Sequence, residues 1–277
     1  MSSDERIAGR AHPTFDALFR EIHQIVEPDL VLTAPVVEDA GQKVHDKTLT
    51  NLAFAAQVCC VALARLETAA NDLASMRHFS SRYCWDEAKI SRSMHLRYCW
   101  LLFLNSVYNY REKKKYALGQ IQESAKQIGE DYKVDVKKEL DAIDGQIGLL
   151  TRERGQKVHE WDQERREITM LELLEMHPDE ARKHRLRDMY SEARTSMVRV
   201  MKDVAELAYR DLEATTSKHS RFVVAICEKL RDRTNKIRAA GYTISAEQLG
   251  KGDHSLFGKD SFFADDFGQR FRSKETA

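Results

Sequence analysis

From Leu49 onward the apolar positions Leu49, Leu52, Ala56, Cys59, Leu63, Leu66, Ala70 and Leu73 step alternately by three and four, the spacing of a helix packed lengthwise against another. This predicts a helix over about 48–76. The stretch Met76–Asp86 breaks the pattern, and Asp86 or an upstream serine can cap a second helix running to about Ser124, with Leu96, Trp100, Phe103, Val107, Tyr110 and Ala117 on one side. A third helix, from about Lys133 to Met176, sets Ile143, Ile147, Leu150, Val158, Trp161 and Ile168 in register. It also holds Gly145, Gly148 and Gly155, each costing about 1 kcal/mol against alanine, which points to a bend, a loop or a close approach by another chain. Beyond Pro178 a long helix carries Leu186, Met189, Ala193, Met197, Val200, Val204 and Leu207. It is expected to break near Thr215–Ser220, resume at Phe222 and stop at Gly241. Ahead of these lie a short helix around Thr14–Val26 and an irregular proline-flanked segment. There is no internal repeat and almost no strand signal. The expected fold is all-α, a bundle of long antiparallel helices over 48–240, with an N-terminal extension over 1–47 and a mobile, aromatic-containing tail over 241–277.

Composition agrees with that pattern. Of 277 residues 32% are charged, only 12 are Gly and 4 are Pro, and between Val36 and Ala240 the sole proline is Pro178. No uninterrupted apolar run approaches eighteen residues, so no membrane span is expected. The N-terminus, with acidic residues and no apolar core, does not read as a secretory signal. The 5 cysteines show no CxxC spacing and suit a reducing cytoplasm. The 44 basic and 44 acidic residues cancel, yet residues 1–47 are net acidic, while Lys218–Arg238 holds seven basic residues against two acids. Any nucleic-acid contact must therefore be local.

Motifs for nucleotide, zinc and serine chemistry are absent, as are the carboxylate–histidine pairs of di-iron bundles, so neither metal nor cofactor is expected. What stands out is Leu150-Thr-Arg-Glu-Arg-Gly-Gln-Lys-Val-His-Glu-Trp161. Arg154 falls where the stripe Ile143, Ile147, Leu150 would place its next apolar member, so either the helix is broken there or the arginine faces an anion. His159 follows five residues later, and Arg152 lies seven before it, about 20° away around an unbroken helix. Arginine and histidine together suit phosphodiester cleavage. The guanidinium fork binds phosphate, imidazole moves protons near neutral pH, and an RNA 2′-hydroxyl can serve as nucleophile without a metal.

Over about residues 50–210 this arrangement resembles the HEPN superfamily, helical proteins whose catalytic members carry Arg-x(4–6)-His and act as metal-independent ribonucleases in toxin–antitoxin or antiviral systems. Arg154 to His159 has the four-residue spacing and Arg152 to His159 the six-residue one. The Val-His-Glu ending and the polar-studded stretch Phe103–Lys113 add to the likeness, whereas Gly155 departs from the polar residue that usually follows the arginine. The resemblance implies an endoribonuclease working as a homodimer, with His159 as general acid or base, and leaves room for an antitoxin or partner subunit that silences it. Arg154, or Arg152 in its place, would stabilise the phosphate.

Asn105, Tyr110 and Glu112 are supporting candidates on the helix before the motif. Arg221, Lys229, Arg231, Arg233 and Lys236 form a candidate RNA-tracking surface, or a basic helix that only balances the acidic N-terminal region. Glu160 reads as an ordinary helix carboxylate, and His95, Trp85 and Trp100 as core or rim. Leu256, Phe257, Phe262, Phe263, Phe267 and Phe271 suit either a docking peptide or a loosely packed tail. The alternative to the enzyme is a non-catalytic helical interaction or scaffold protein.

Overall fold

The computed structural model describes residues 13–26, 34–39, 42–81, 90–159, 166–176 and 180–247. The tail from residue 248, Asp86 and Trp85, and Glu160 and Trp161 lie outside the described residues. Six helices and a small sheet follow in the order α1 (Pro13–Ile25), β1 (Ala34–Asp39), β2 (Gln42–Val44), α2 (Lys47–Ser81), α3 (Arg92–Gln127), α4 (Val136–His159), α5 (Arg166–Glu175), α6 (Glu180–Ala239) and β3 (Thr243–Glu247).

Local chemistry marks the helix ends. Asp46 caps α2 by accepting the Leu49 N–H at 2.8 Å, Ser91 caps α3 by accepting from Met94 at 3.2 Å, and Asp135 caps α4 by accepting from Lys138 at 3.0 Å. The cap of α3 is thus Ser91, five residues past Asp86, and neither Asp86 nor a serine upstream of it, so the helix starts later than expected. α3 ends at Gly129, whose φ of 73° permits the Glu130 N–H to reach back to the Ala125 carbonyl at 2.9 Å. α6 ends in the same way at Gly241, with φ 89° and the Tyr242 N–H on the Ile237 carbonyl.

Cross-helix contacts set the directions. Tyr209 on Asn71 and Arg233 on Asp46 make α6 antiparallel to α2. Tyr190 on His95 and Tyr110 on Asp211 make it parallel to α3. Arg111 on Asp144 and Arg97 on Glu172 lay α4 and then α5 in succession, antiparallel to α3. The result is a four-column bundle, one column being α4 followed by α5. Its interior divides into two cores. One joins α1, the first half of α2, the last third of α3, the end of α6 and Val37 of β1. The other joins the rest of α2 and α3 with α4, α5 and the middle of α6, and centres on Trp100, Phe103, Val107 and Tyr110.

Four expectations need correction. The sheet, in order β2-β1-β3 and antiparallel throughout, was not anticipated. Its strands of 6, 3 and 5 residues are too short for alternation to show, and β1 contains a proline. α6 does not break at Thr215–Ser220: Thr215, Thr216 and His219 are buried there, His219 against Tyr132 of the α3–α4 connection. Gly145 and Gly148 sit inside α4 with open space where a side chain would be, so neither marks a bend or a close approach. Finally, α2 is long and apolar enough to cross a membrane by length and composition. An 18-residue window reaches a mean hydropathy of 1.6, and 56% of it is buried inside the bundle. Its few polar residues interrupt the run without bringing its average below that of a membrane-spanning helix.

Candidate functional site

The antiparallel pairing of α3 and α4 is pinned by Arg111, whose guanidinium forks onto Asp144 through two bonds of 2.7 Å. Hydrogen bonding to Asp144 is the main cause that raises the Arg111 pKa further. Ten residues beyond Asp144, α4 brings Arg154 to α3. The Arg154 Nε donates to Asn105 Oδ1 at 3.3 Å, and the guanidinium lies over the Tyr108 ring, 4.3 Å from its centroid. Among the described residues no carboxylate pairs with Arg154, in contrast to Arg97, Arg111, Lys114, Lys218, Lys229 and Arg233, each of which meets one. Arg154 is thus a half-buried cation with neutral partners. Tyr108 was missed in the sequence, although its position three residues after Asn105 places both on neighbouring turns of α3.

α4 continues unbroken through His159, which excludes a helix break at Arg154. On such a helix Arg152 and His159 share a face about two turns apart, and Arg154 sits about 140° around from His159. Arg152 is exposed, without a partner among the described residues. The side chain of His159 lies outside them.

The other named residues are held elsewhere. Tyr110 is buried and turned toward α6, donating to Asp211 Oδ2 at 2.7 Å with the Ala208 carbonyl 2.9 Å away. Burial, then the Asp211 charge, pushes its phenol well above the usual value. Lys114, also buried, binds the second Asp211 oxygen at 2.5 Å. Tyr110 therefore ties α3 to α6 and does not orient Arg154. Glu112 pairs with Arg111 at 3.0 Å. Of the five candidate RNA-tracking residues on α6, Lys229 meets Glu130, Arg231 meets Asp232 and Arg233 meets Asp46, which leaves Arg221 and Lys236 without an ion-pair partner among the described residues. They lie roughly 20–45 Å along the bundle from the level of Asn105. His95 and Trp100 are buried in the core as expected.

A second polar centre was not anticipated. His219, fully buried on α6, has Nδ1 2.8 Å from the Tyr132 hydroxyl and Nε2 3.1 Å from Glu139, which also takes a bond from Lys218 at 2.6 Å. This network joins α6, the α3–α4 connection and the start of α4. It falls in the polar stretch that imitates a helix break. Among the described residues no group of three or more His, Cys, Asp or Glu is placed to hold a metal ion.

No family model matches the chain, and neither a curated protein nor a solved structure does. Where α3 meets α4 the chain presents a guanidinium that no carboxylate among the described residues neutralises, flanked by an amide and an aromatic ring.

Proposed function

We propose that this chain is a metal-independent endoribonuclease of HEPN type. The observation that carries the reading is Arg154, an arginine at a core-register position of α4 whose partners, Asn105 and Tyr108, leave its charge available to an anion. Arg154 holds the scissile phosphate, and Arg152, on the same helix face as His159, supplies a second cation. His159 moves the proton as the 2′-hydroxyl attacks phosphorus and the 5′-oxygen leaves, giving a 2′,3′-cyclic phosphate. Asn105 positions Arg154. The cytoplasm, where buried free thiols such as Cys59, Cys60, Cys99 and Cys227 persist, is the proposed compartment.

The test is cleavage of varied RNAs in EDTA by wild type, His159→Ala, Arg154→Ala and Arg152→Ala. Loss of activity of at least 100-fold in His159→Ala is expected, together with cyclic-phosphate ends in the wild-type products. Equal cleavage by wild type and His159→Ala, or none by any of them, rejects the assignment. The second reading, a non-catalytic helical interaction protein, is favoured by the unbroken α4, which separates Arg154 from His159 around the helix.

A further inference from the structure

The step from one core to the other is polar. On α3 the buried Lys114 lies between Tyr110 of one core and Leu118 of the other, and on α6 the buried Thr215, Thr216 and His219 lie between Leu212 and Phe222. Residues 128–135 join α3 to α4 at this level without helix or strand. This connection reaches inward at Tyr132, which stacks on Phe222 with 4.2 Å between ring centroids, and at the buried Val134.

Donor and acceptor chemistry fixes the neutral state of His219. A carboxylate only accepts, so the ring proton sits on Nε2 and is donated across the 3.1 Å to Glu139. Nδ1 is then a lone pair, to which the Tyr132 hydroxyl donates at 2.8 Å. One ring thus holds two elements, α4 by donating and the connection by accepting.

A second proton treats the two unequally. It must enter at Nδ1, where the Tyr132 O–H already points, so that bond loses its acceptor. The charge on the ring meanwhile turns the Nε2 bond into an ion pair with Glu139. The other groups facing the ring are Lys218 on its own helix, Lys114 from α3, itself paired with Asp211, and, beside Tyr132, the neutral thiol of Cys59 from α2. Two carboxylates balance two ammonium groups, so an imidazolium is one charge in surplus at a fully buried position. Water relieves that surplus, and what covers Nδ1 is the connection, through Tyr132.

We propose that His219 is an acid-operated latch: neutral, it clasps the α3–α4 connection through Tyr132, and on taking a second proton at Nδ1 it releases the connection while gripping α4 through Glu139. With the connection open, the ring titrates near its ordinary value of about 6.5, so opening becomes easier by up to about tenfold per pH unit below that value. The hold of the latch is complete above this pH and is lost as pH falls toward the lower value of the closed state. The latch stands apart from the ribonuclease reading, since it uses none of Arg152, Arg154 and His159.

The experiment follows hydrogen exchange of the full chain between pH 7.5 and 5.5, corrected for the intrinsic exchange rate. Protection of residues 130–135 is expected to fall several-fold more than that of residues 140–147. In His219→Gln, which keeps polar partners but cannot titrate, protection of 130–135 should stay level across the range. In Tyr132→Phe it should already be low at pH 7.5, and imidazole NMR should show His219 titrating at higher pH than in wild type, because the neutral ring has lost its donor. Wild-type protection of 130–135 that does not change with pH overturns the proposal. So does an equal loss across 140–147, or a His219 in Tyr132→Phe that titrates where the wild type does, and this last measurement decides even if His219→Gln fails to fold.

Discussion

His219 illustrates what one side chain contributes when burial and hydrogen bonding oppose each other. Burial lowers its pKa, and the bond to Glu139 counters that only in part, while Lys218 and Lys114 add repulsion. For Glu139, burial acts to raise the carboxyl, but bonds from Lys218 and His219 outweigh it and hold the group below its ordinary value. Both shifts have the same consequence. A histidine with a depressed folded pKa contributes stability above its unfolded value of about 6.5, and that stability falls as pH drops toward the lower folded value. A carboxyl with a depressed folded pKa contributes stability above its unfolded value, and loses it further into acid. Melting temperature should therefore fall between pH 7 and pH 4, and the first part of that fall should flatten in His219→Gln, which cannot titrate. An equally steep decline in the variant would place the acid sensitivity in other groups. At Cys59 burial wins outright, pushing the thiol up to about 11 against the lowering effect of a hydrogen bond with Ser124, and so keeps it an inert core residue at neutral pH.

Among the elements, helices with one continuous apolar stripe were legible from spacing. α2 extends five residues past the expected end, and the short α1 matches within a residue. The misreadings share a cause: polar and glycine positions read as interruptions in the sequence where the helix in fact runs on. His219 is polar because α6 passes a buried hydrogen-bonding network there, and Thr215 and Thr216 are buried one turn before it, the latter with its hydroxyl unbonded among the described residues; a sequence does not disclose which polar residues have partners. The same limit applied to the site. Arg154 was legible because it displaced an apolar residue from the stripe, whereas Tyr110 looked like a neighbour of the motif and proved to face the opposite column of the bundle. The glycines of α4 lead to a measurable expectation. Since nothing lies within 4 Å of a side chain added at Gly145, Gly145→Ala should stabilise the protein by about 0.5–1 kcal/mol in urea denaturation. Destabilisation would mean that the glycine serves a state other than this one.

At the scale of the whole molecule, α2, α3 and α6 run through both cores, so neither core has a helix set of its own. Unbroken helices should couple them into one cooperative unit. Ser217→Pro removes a backbone donor inside α6 and costs about 3 kcal/mol or more. It is expected to separate the two cores, so that hydrogen exchange of α1 and the end of α6 becomes faster than that of the Trp100 region. Uniform acceleration across both would indicate that the remaining helices suffice for coupling. The sheet has a different consequence, one concerning time. β1 pairs with β3, Val37 opposite Ile244, across more than two hundred intervening positions that include every helix except α1. At about 5–20 residues per second a ribosome needs roughly 10–40 s to make that interval. For that period β1 waits without its partner, and the N-terminal segment is held only by the β1–β2 hairpin and by whatever helices have already emerged. Among the described residues, the last strand to leave the ribosome is the one that completes the sheet.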